Sequence, residues 1–180
     1  MEFVSSNNLY TYHIKDEYFQ KMGQNLGLMS NKENGRFRPN YYAVKDKNSD
    51  IIWMIPLSSR YDKYIGIYND KMRKYGKCFN FVINRYGGKD SVFLLQNMFP
   101  ILPKYIDHIH TANGQPLEVH ESIRDEINKK FKRIMELEKR GKKILFTKVD
   151  ILHSKMIQEY NDECINQEVV SEDVEKENNK

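Results

Sequence analysis

The sequence predicts an α+β fold: a compact, mostly antiparallel, barrel-like sheet decorated with helices. Three observations lead there. Short runs rich in β-branched and aromatic residues recur through the N-terminal part, broken by glycine, asparagine and proline. Two longer stretches with apolar residues at helical spacing close the chain. Strand-like and helix-like segments, five or six strands and a few helices, come in mixed order.

The chain has 180 residues, 39% hydrophobic and 30% charged, which suits one globular domain. That domain is expected to span residues 1–166. From Asp162 onward seven acidic residues face two lysines, a net of −5, which leaves +9 for the rest of a chain whose total is +4. Residues 167–180 therefore read as an acidic, disordered tail. A body this basic attracts polyanions, of which nucleic acid is the commonest. No apolar run approaches the roughly 20 residues of a membrane span. The N-terminus MEFVSSNNLY lacks the pattern of a secretory signal. Cys78 and Cys164 form no CxxC pair and read as reduced thiols, so a cytoplasmic location is expected.

Asn8–Ile14 (NLYTYHI) reads as a strand. Lys15–Met22 reads as a short helix with Tyr18, Phe19 and Met22 on one side. Gly23–Phe37, rich in glycine and asparagine, is assigned to a loop. Arg38–Lys45 and Ile51–Ile55 flank the polar turn DKNSD and form an antiparallel hairpin. Tyr61–Tyr75 reads as a helix ended by Gly76. Lys77–Ile83, Ser91–Leu95 and an irregular stretch near Ile101–Ile109 supply further strands, the first two joined by a turn at Gly87-Gly88. Glu121–Arg140 carries Ile123, Ile127, Phe131, Ile134 and Leu137 on one stripe; Thr147–Ile165 carries Ile151, Leu152, Met156, Tyr160 and Cys164 on another.

Chemistry concentrates in Ile51–Lys63, IIWMIPLSSRYDK. A buried strand ends here at a proline, followed by Ser58, Ser59, Arg60, Tyr61 and Lys63. Rigid strand ends place polar side chains better than free loops do. The hairpin brings Arg38 and Asn40 beside Ser58 and Ser59. No glycine-flanked nucleophile elbow is present, and neither GxxxxGK[ST] nor GxGxxG occurs. RNA cleavage makes a different demand: the substrate's own 2′-hydroxyl attacks, and the protein supplies donors and cations around a charged phosphorane. Serines, arginine and lysine meet that demand without metal. The plainer reading makes Ser58-Ser59 a turn or a helix N-cap ahead of Tyr61–Tyr75. His108 and His110 would share one strand face at a spacing that can chelate, but no carboxylate or cysteine cluster stands beside them; they read as surface or partly buried histidines, and no metal or cofactor is assigned. Tyr10, Tyr12, Tyr41, Tyr42, Tyr61 and Tyr64 lie near basic residues and offer rings on which bases stack.

The order of segments resembles the toxins of type III toxin–antitoxin systems, the ToxN/AbiQ family, and its CptN-like branch most. The resemblance rests on LYTYHIKDEYFQKM, on RPNYYAV followed by a polar turn and IIWMIPLSSRYDK, on a lysine- and tyrosine-rich helix, and on late helices from Glu121. It implies a fold similar to the compact barrel of the Kid/MazF toxins. It also implies metal-independent endoribonuclease activity leaving a 2′,3′-cyclic phosphate. The implied partner is a small structured antitoxin RNA that the toxin itself processes, in a ring-like toxin–RNA assembly, beside cellular RNA substrates. The family's Ser/Thr pair falls on Ser58 and Ser59, and its basic residue on Arg38. The lysine that follows the pair has no counterpart, since Tyr61 stands there; Arg60 or Lys63 replaces it. His13 becomes a candidate acid or base. Asn40, Tyr41, Tyr42, Tyr61 and Tyr64 would position nucleotides, and Lys71, Arg73, Lys74, Lys129, Lys130, Lys132 and Arg133 would hold the RNA backbone. Two other readings stay open: a non-catalytic RNA-binding module, and a small-molecule enzyme using His108 and His110.

Overall fold

A computed structural model describes residues 2–6 and 8–178, with side chains described as far as position 165. The chain runs β1 (Phe3–Ser5), β2 (Thr11–Ile14), α1 (Asp16–Met22), β3 (Lys32–Glu33), β4 (Arg36–Phe37), β5 (Asn40–Asp46), β6 (Ile52–Ser58) and α2 (Tyr61–Tyr75). It continues through β7 (Phe81–Tyr86), β8 (Lys89–Leu94), β9 (Phe99–Ile101), β10 (Ile106–Ile109), β11 (Thr111–Ala112), β12 (Gln115–Pro116), α3 (Glu121–Lys139) and α4 (Val149–Asn178). The fold is α+β, and every strand pair in the sheets is antiparallel.

The main sheet has the order β10-β2-β5-β6-β8-β7, with β1 beside β5 and β9 beside β6. Its outer strands, β10 and β7, do not pair among the described residues, so the expected barrel-like sheet is open rather than closed. β6 is its spine. Every residue of β6 is buried, which explains why IIWMIPL is continuously apolar instead of alternating. Trp53, Ile55 and Leu57 point into a core shared with α3, where Ile127, Phe131 and Ile134 pack. Ile52 and Met54 point the other way, into a core shared with α1 and α4. Both faces being covered, neither set of side chains meets water.

Pro56 is tolerated in this central strand for a geometric reason. The Leu57 N–H donates to the Pro39 carbonyl on the β5 side, and successive N–H groups point to opposite neighbours. The missing N–H of Pro56 therefore falls on the far side. There β9 pairs only with Ile52–Met54 and β8 only with Leu57 and Ser58. The proline occupies the gap between them.

The β5–β6 hairpin is antiparallel as expected, with Asn40 opposite Pro56 and Tyr41 opposite Ile55, and a bulge between Tyr42 and Val44. Its turn is tied to α4: Asp46 accepts from Trp53 Nε1 at 2.8 Å and meets His153 Nε2 at 2.5 Å. The predicted stripe on α3 is buried throughout. On α4 Leu152 and Met156 are buried, but Ile151 is exposed, a correction to that stripe. Helix α4 continues to Asn178, through most of the segment expected to be a disordered tail; of that segment, residues 179–180 and all the side chains lie outside the described residues. No helix among the described residues is long and apolar enough to cross a membrane.

Candidate active site

β6 ends at Ser58 and α2 begins at Tyr61, so Ser59 and Arg60 form a sharp strand-to-helix corner. The hairpin register carries Arg38 to this corner. Arg38 is 6% exposed. Its Nη1 donates to the Leu57 carbonyl at 2.6 Å and its Nε to the Ser30 carbonyl at 3.1 Å. Asn40 is buried, and its Nδ2 donates to the Arg38 carbonyl at 2.9 Å. Asn40 therefore fixes the backbone that presents Arg38 and offers no free surface to a nucleotide.

Glu33, absent from the sequence-derived set, stands at the centre of the corner. Its Oε1 accepts from Ser58 Oγ at 2.9 Å, and its Oε2 accepts from the Ser59 N–H at 3.1 Å and Ser59 Oγ at 3.2 Å. Arg38 Nη1 and Arg60 Nε lie 3.4 Å and 3.5 Å from Oε1. Burial pushes the carboxyl's pKa up, but the Ser59 N–H, Arg38 and the two hydroxyls outweigh it and hold it below the ordinary value. The corner is thus a cradle for an anion: two hydroxyls, one main-chain N–H and two guanidinium groups converging on one site, just ahead of the positive end of a helix.

The hydroxyls are oriented as well as placed. Ser58 Oγ accepts from the Arg60 N–H at 3.2 Å while donating to Glu33. Arg60 is the N-cap position of α2, and among the described residues no side chain caps the helix. Ser58-Ser59 are therefore not the N-cap, but they do form the turn into α2, with the Arg60 N–H on Ser58 Oγ and the Tyr61 N–H on the Ser59 carbonyl. Glu33 left a trace in the sequence that the loop assignment for Gly23–Phe37 passed over. Lys-Glu-Asn-Gly-Arg-Phe is a two-residue hairpin, β3–β4, with φ positive at both Asn34 and Gly35.

A second polar cluster sits on β2 and β10. His13 Nε2 and His110 Nδ1 are 3.0 Å apart, and the His108 ring centroid is 4.7 Å from that of His13. Burial, then the neighbouring His110 and His108, push the pKa of His13 down to about 4, with Asp107 acting weakly the other way. His110 is lowered too, by burial and His108. At neutral pH His13 is uncharged. Its Nδ1 is buried without a partner. Among the described residues no group of three or more histidine, cysteine, aspartate or glutamate side chains is placed to hold a metal ion.

The other expected residues divide. Tyr41 is fully buried with its hydroxyl on the Asn8 carbonyl at 3.3 Å, so it presents no ring face to a base. Tyr42 packs against the α1–α4 core. Lys130 Nζ donates to the Phe81 carbonyl at 2.6 Å and pairs with Glu126, tying α3 to β7. Arg133 pairs with Glu136, and Arg73 with Asp70. Lys74, Lys129 and Lys132 are exposed, and Tyr61 is half-buried beside the corner.

Lys63, Tyr64 and Lys71 instead line a cleft of about 900 Å³ between α2, β7 and the segment after α3. Lys77, Lys142 and Lys143 join them, and among the described residues no carboxylate lines the cleft. Phe146, 63% exposed, and Tyr75 offer open ring faces there. Burial raises the Tyr64 hydroxyl's pKa, and the charges of Arg38, Glu33 and Arg60 act on it, so this side chain joins the cleft to the cradle.

No family model matches the sequence, and no curated protein does. Solved structures do. The chain is similar to AbiQ, a lactococcal anti-phage endoribonuclease of a type III toxin–antitoxin system, with a TM-score of 0.63 at 16% identity over 84% of this chain and 98% of that one. It is also similar to a chain from a bacterial antiviral system regulated by a processed non-coding RNA, with a TM-score of 0.62 at 13% identity over 82% of this chain and 97% of that one. The chain has the fold of these antiviral proteins over nearly their whole length.

Proposed function

We propose that the chain is an endoribonuclease toxin of a type III toxin–antitoxin system, with residues 1–166 as its working domain. The observation that carries this reading is the cradle: Ser58, Ser59, Arg38 and Arg60 converge on one carboxylate as they would on a phosphate. The acid-free cleft of lysines and aromatics beside it suits single-stranded RNA, whose bases stack while its backbone meets cations. The AbiQ-like fold adds support.

In the proposed reaction the substrate's 2′-hydroxyl gives up its proton and attacks the adjacent phosphorus. The 5′-oxygen leaves with a proton, and a 2′,3′-cyclic phosphate remains. The Ser58 and Ser59 hydroxyls and the Ser59 N–H donate to the non-bridging oxygens as charge grows on them. Arg38 and Arg60 neutralise that charge. His13, held uncharged, is the candidate proton carrier. The donor set of the cradle favours a reaction without protein-bound metal. The natural inhibitor would be a small structured RNA that the protein itself processes and with which it assembles into a ring, as part of resistance to phage.

The test is incubation of the purified, RNA-free protein with mixed RNA in EDTA. Discrete cuts are expected, and Ser59→Ala should slow them by about 10²–10³-fold, the usual effect of one lost donor. Cutting that Ser59→Ala leaves unchanged would refute the assignment. RNA that binds but stays intact would point to a non-catalytic binding module.

A further inference from the structure

The donors that a scissile phosphate needs are already in use. Glu33 takes the Ser58 hydroxyl, the Ser59 hydroxyl and the Ser59 N–H, and faces both guanidinium groups. A general base works from beside the reacting phosphate; this carboxylate lies in its place. A carboxylate and a phosphate cannot share one cradle, because both are anions competing for the same donors.

The hairpin that carries Glu33 is held at its base, where the Arg38 N–H donates to the Asn31 carbonyl and Asn31 Nδ2 donates to the Ile14 carbonyl and to Asp16. Beyond that base β3 and β4 are two residues each and form a separate sheet, with no ladder to the main one among the described residues. Arg36 and Phe37 are exposed, and Lys32 meets Asp16 only at 3.8 Å across solvent. Glu33, with its side chain 12% exposed, ties the far part of the hairpin to the corner. Withdrawing it breaks side-chain contacts to the corner and leaves β5 and β6 intact.

We propose that Glu33 is an internal stand-in for the substrate phosphate, and that the β3–β4 hairpin is a gate that must lift before RNA enters the cradle. The proposal rests on the phosphate-binding reading of Ser58 and Ser59. It makes the free protein self-inhibited: RNA binds only by displacing a tethered competitor, so apparent affinity is reduced by the fraction of time the gate is shut. RNA that fills the adjoining lysine cleft would supply the binding free energy that opens it.

The experiment follows the Ser59 amide resonance of the full chain during titration with inorganic phosphate, in the wild type, Glu33→Gln and Glu33→Ala. Glutamine keeps an acceptor for Arg38 and the hydroxyls but loses the charge, and the amide spectrum itself reports folding. The expected result is saturable movement of Ser59 at a phosphate concentration lower by about tenfold or more in Glu33→Gln than in the wild type. The same variant should bind a non-cleavable 2′-O-methyl RNA more tightly by a similar factor. Equal phosphate and RNA affinities in the folded variants would overturn the gate and leave the nuclease reading standing. Loss of cleavage in Glu33→Gln at unchanged affinity would also overturn it, and would make Glu33 a base. Tighter phosphate binding without any RNA cleavage would uphold the gate and sink the nuclease reading.

Discussion

At the end of β6 a carboxylate and two guanidinium groups are drawn together under two serine hydroxyls. On β2 and β10 three imidazoles meet, with one carboxylate, Asp107, on the exposed outermost ring. Both clusters take polar groups out of water, and they meet that cost differently. The cradle keeps its charges and satisfies them with partners of opposite sign and with the main chain. The histidine cluster lowers the cost by staying uncharged. The contrast separates two environments: one site gathers donors and cations around an anion, the other keeps its imidazoles without a standing charge.

The cradle depends most on Arg38. Arg38→Met removes the guanidinium that faces Glu33 and leaves the Leu57 and Ser30 carbonyls without their donors. A loss of about 3–5 kcal/mol is expected in chemical denaturation, the usual result of breaking a buried charge pair. A loss below about 1 kcal/mol would show that the cradle is loosely held and exposed to water.

The histidine cluster carries a smaller effect. With His13 held at about 4 against an ordinary 6.5, the unfolded chain binds the proton first. Stability from neutral His13 is therefore fully present above pH 6.5 and is lost as pH falls towards 4, up to about 3 kcal/mol in all. Below about pH 4.5 the carboxylates take over. Burial raises the pKa of Glu159, but Lys104, Lys21 and Tyr105 hold it near 2, and Glu33 is depressed as well, so both lose their contributions as acid protonates them. Denaturation midpoints across this range should show two falling stages, and His13→Gln should flatten only the first. A first stage unchanged in His13→Gln would place that titration elsewhere.

Much of this was legible in the residues. The apolar run Ile51–Ile55 marked a buried strand, although β6 runs on through Pro56 to Ser58, and the turn DKNSD marked a hairpin that delivers Arg38 to Ser58. The apolar stripe of Glu121–Arg140 gave α3 its buried face. What escaped did so for physical reasons. Burial of Tyr41 and Asn40 follows from tertiary packing on both faces of β5, which local sequence does not carry. Glu33 was hidden because a glycine-rich segment reads as a loop, although Asn34-Gly35 spells the tightest hairpin turn. The meeting of His13 with His108 and His110 depends on β10 folding back beside β2, a contact between residues 97 apart for His13 and His110. Lys63 and Lys71 belong to a cleft whose other wall, Lys142 and Lys143, arrives from beyond α3.

In the proposed reaction the cradle grips a phosphate while the neighbouring 2′-hydroxyl of the substrate attacks it. The most direct measurement uses a single-site RNA substrate prepared twice, once unmodified and once with a 2′-O-methyl group only on the nucleotide before the cut, each incubated with the wild-type protein. The account predicts cleavage of the first with a 2′,3′-cyclic phosphate end and no cleavage of the second, although both bind. Continued cleavage of the methylated RNA at the same bond would contradict it, because the attacking oxygen would then have to come from water or from the protein.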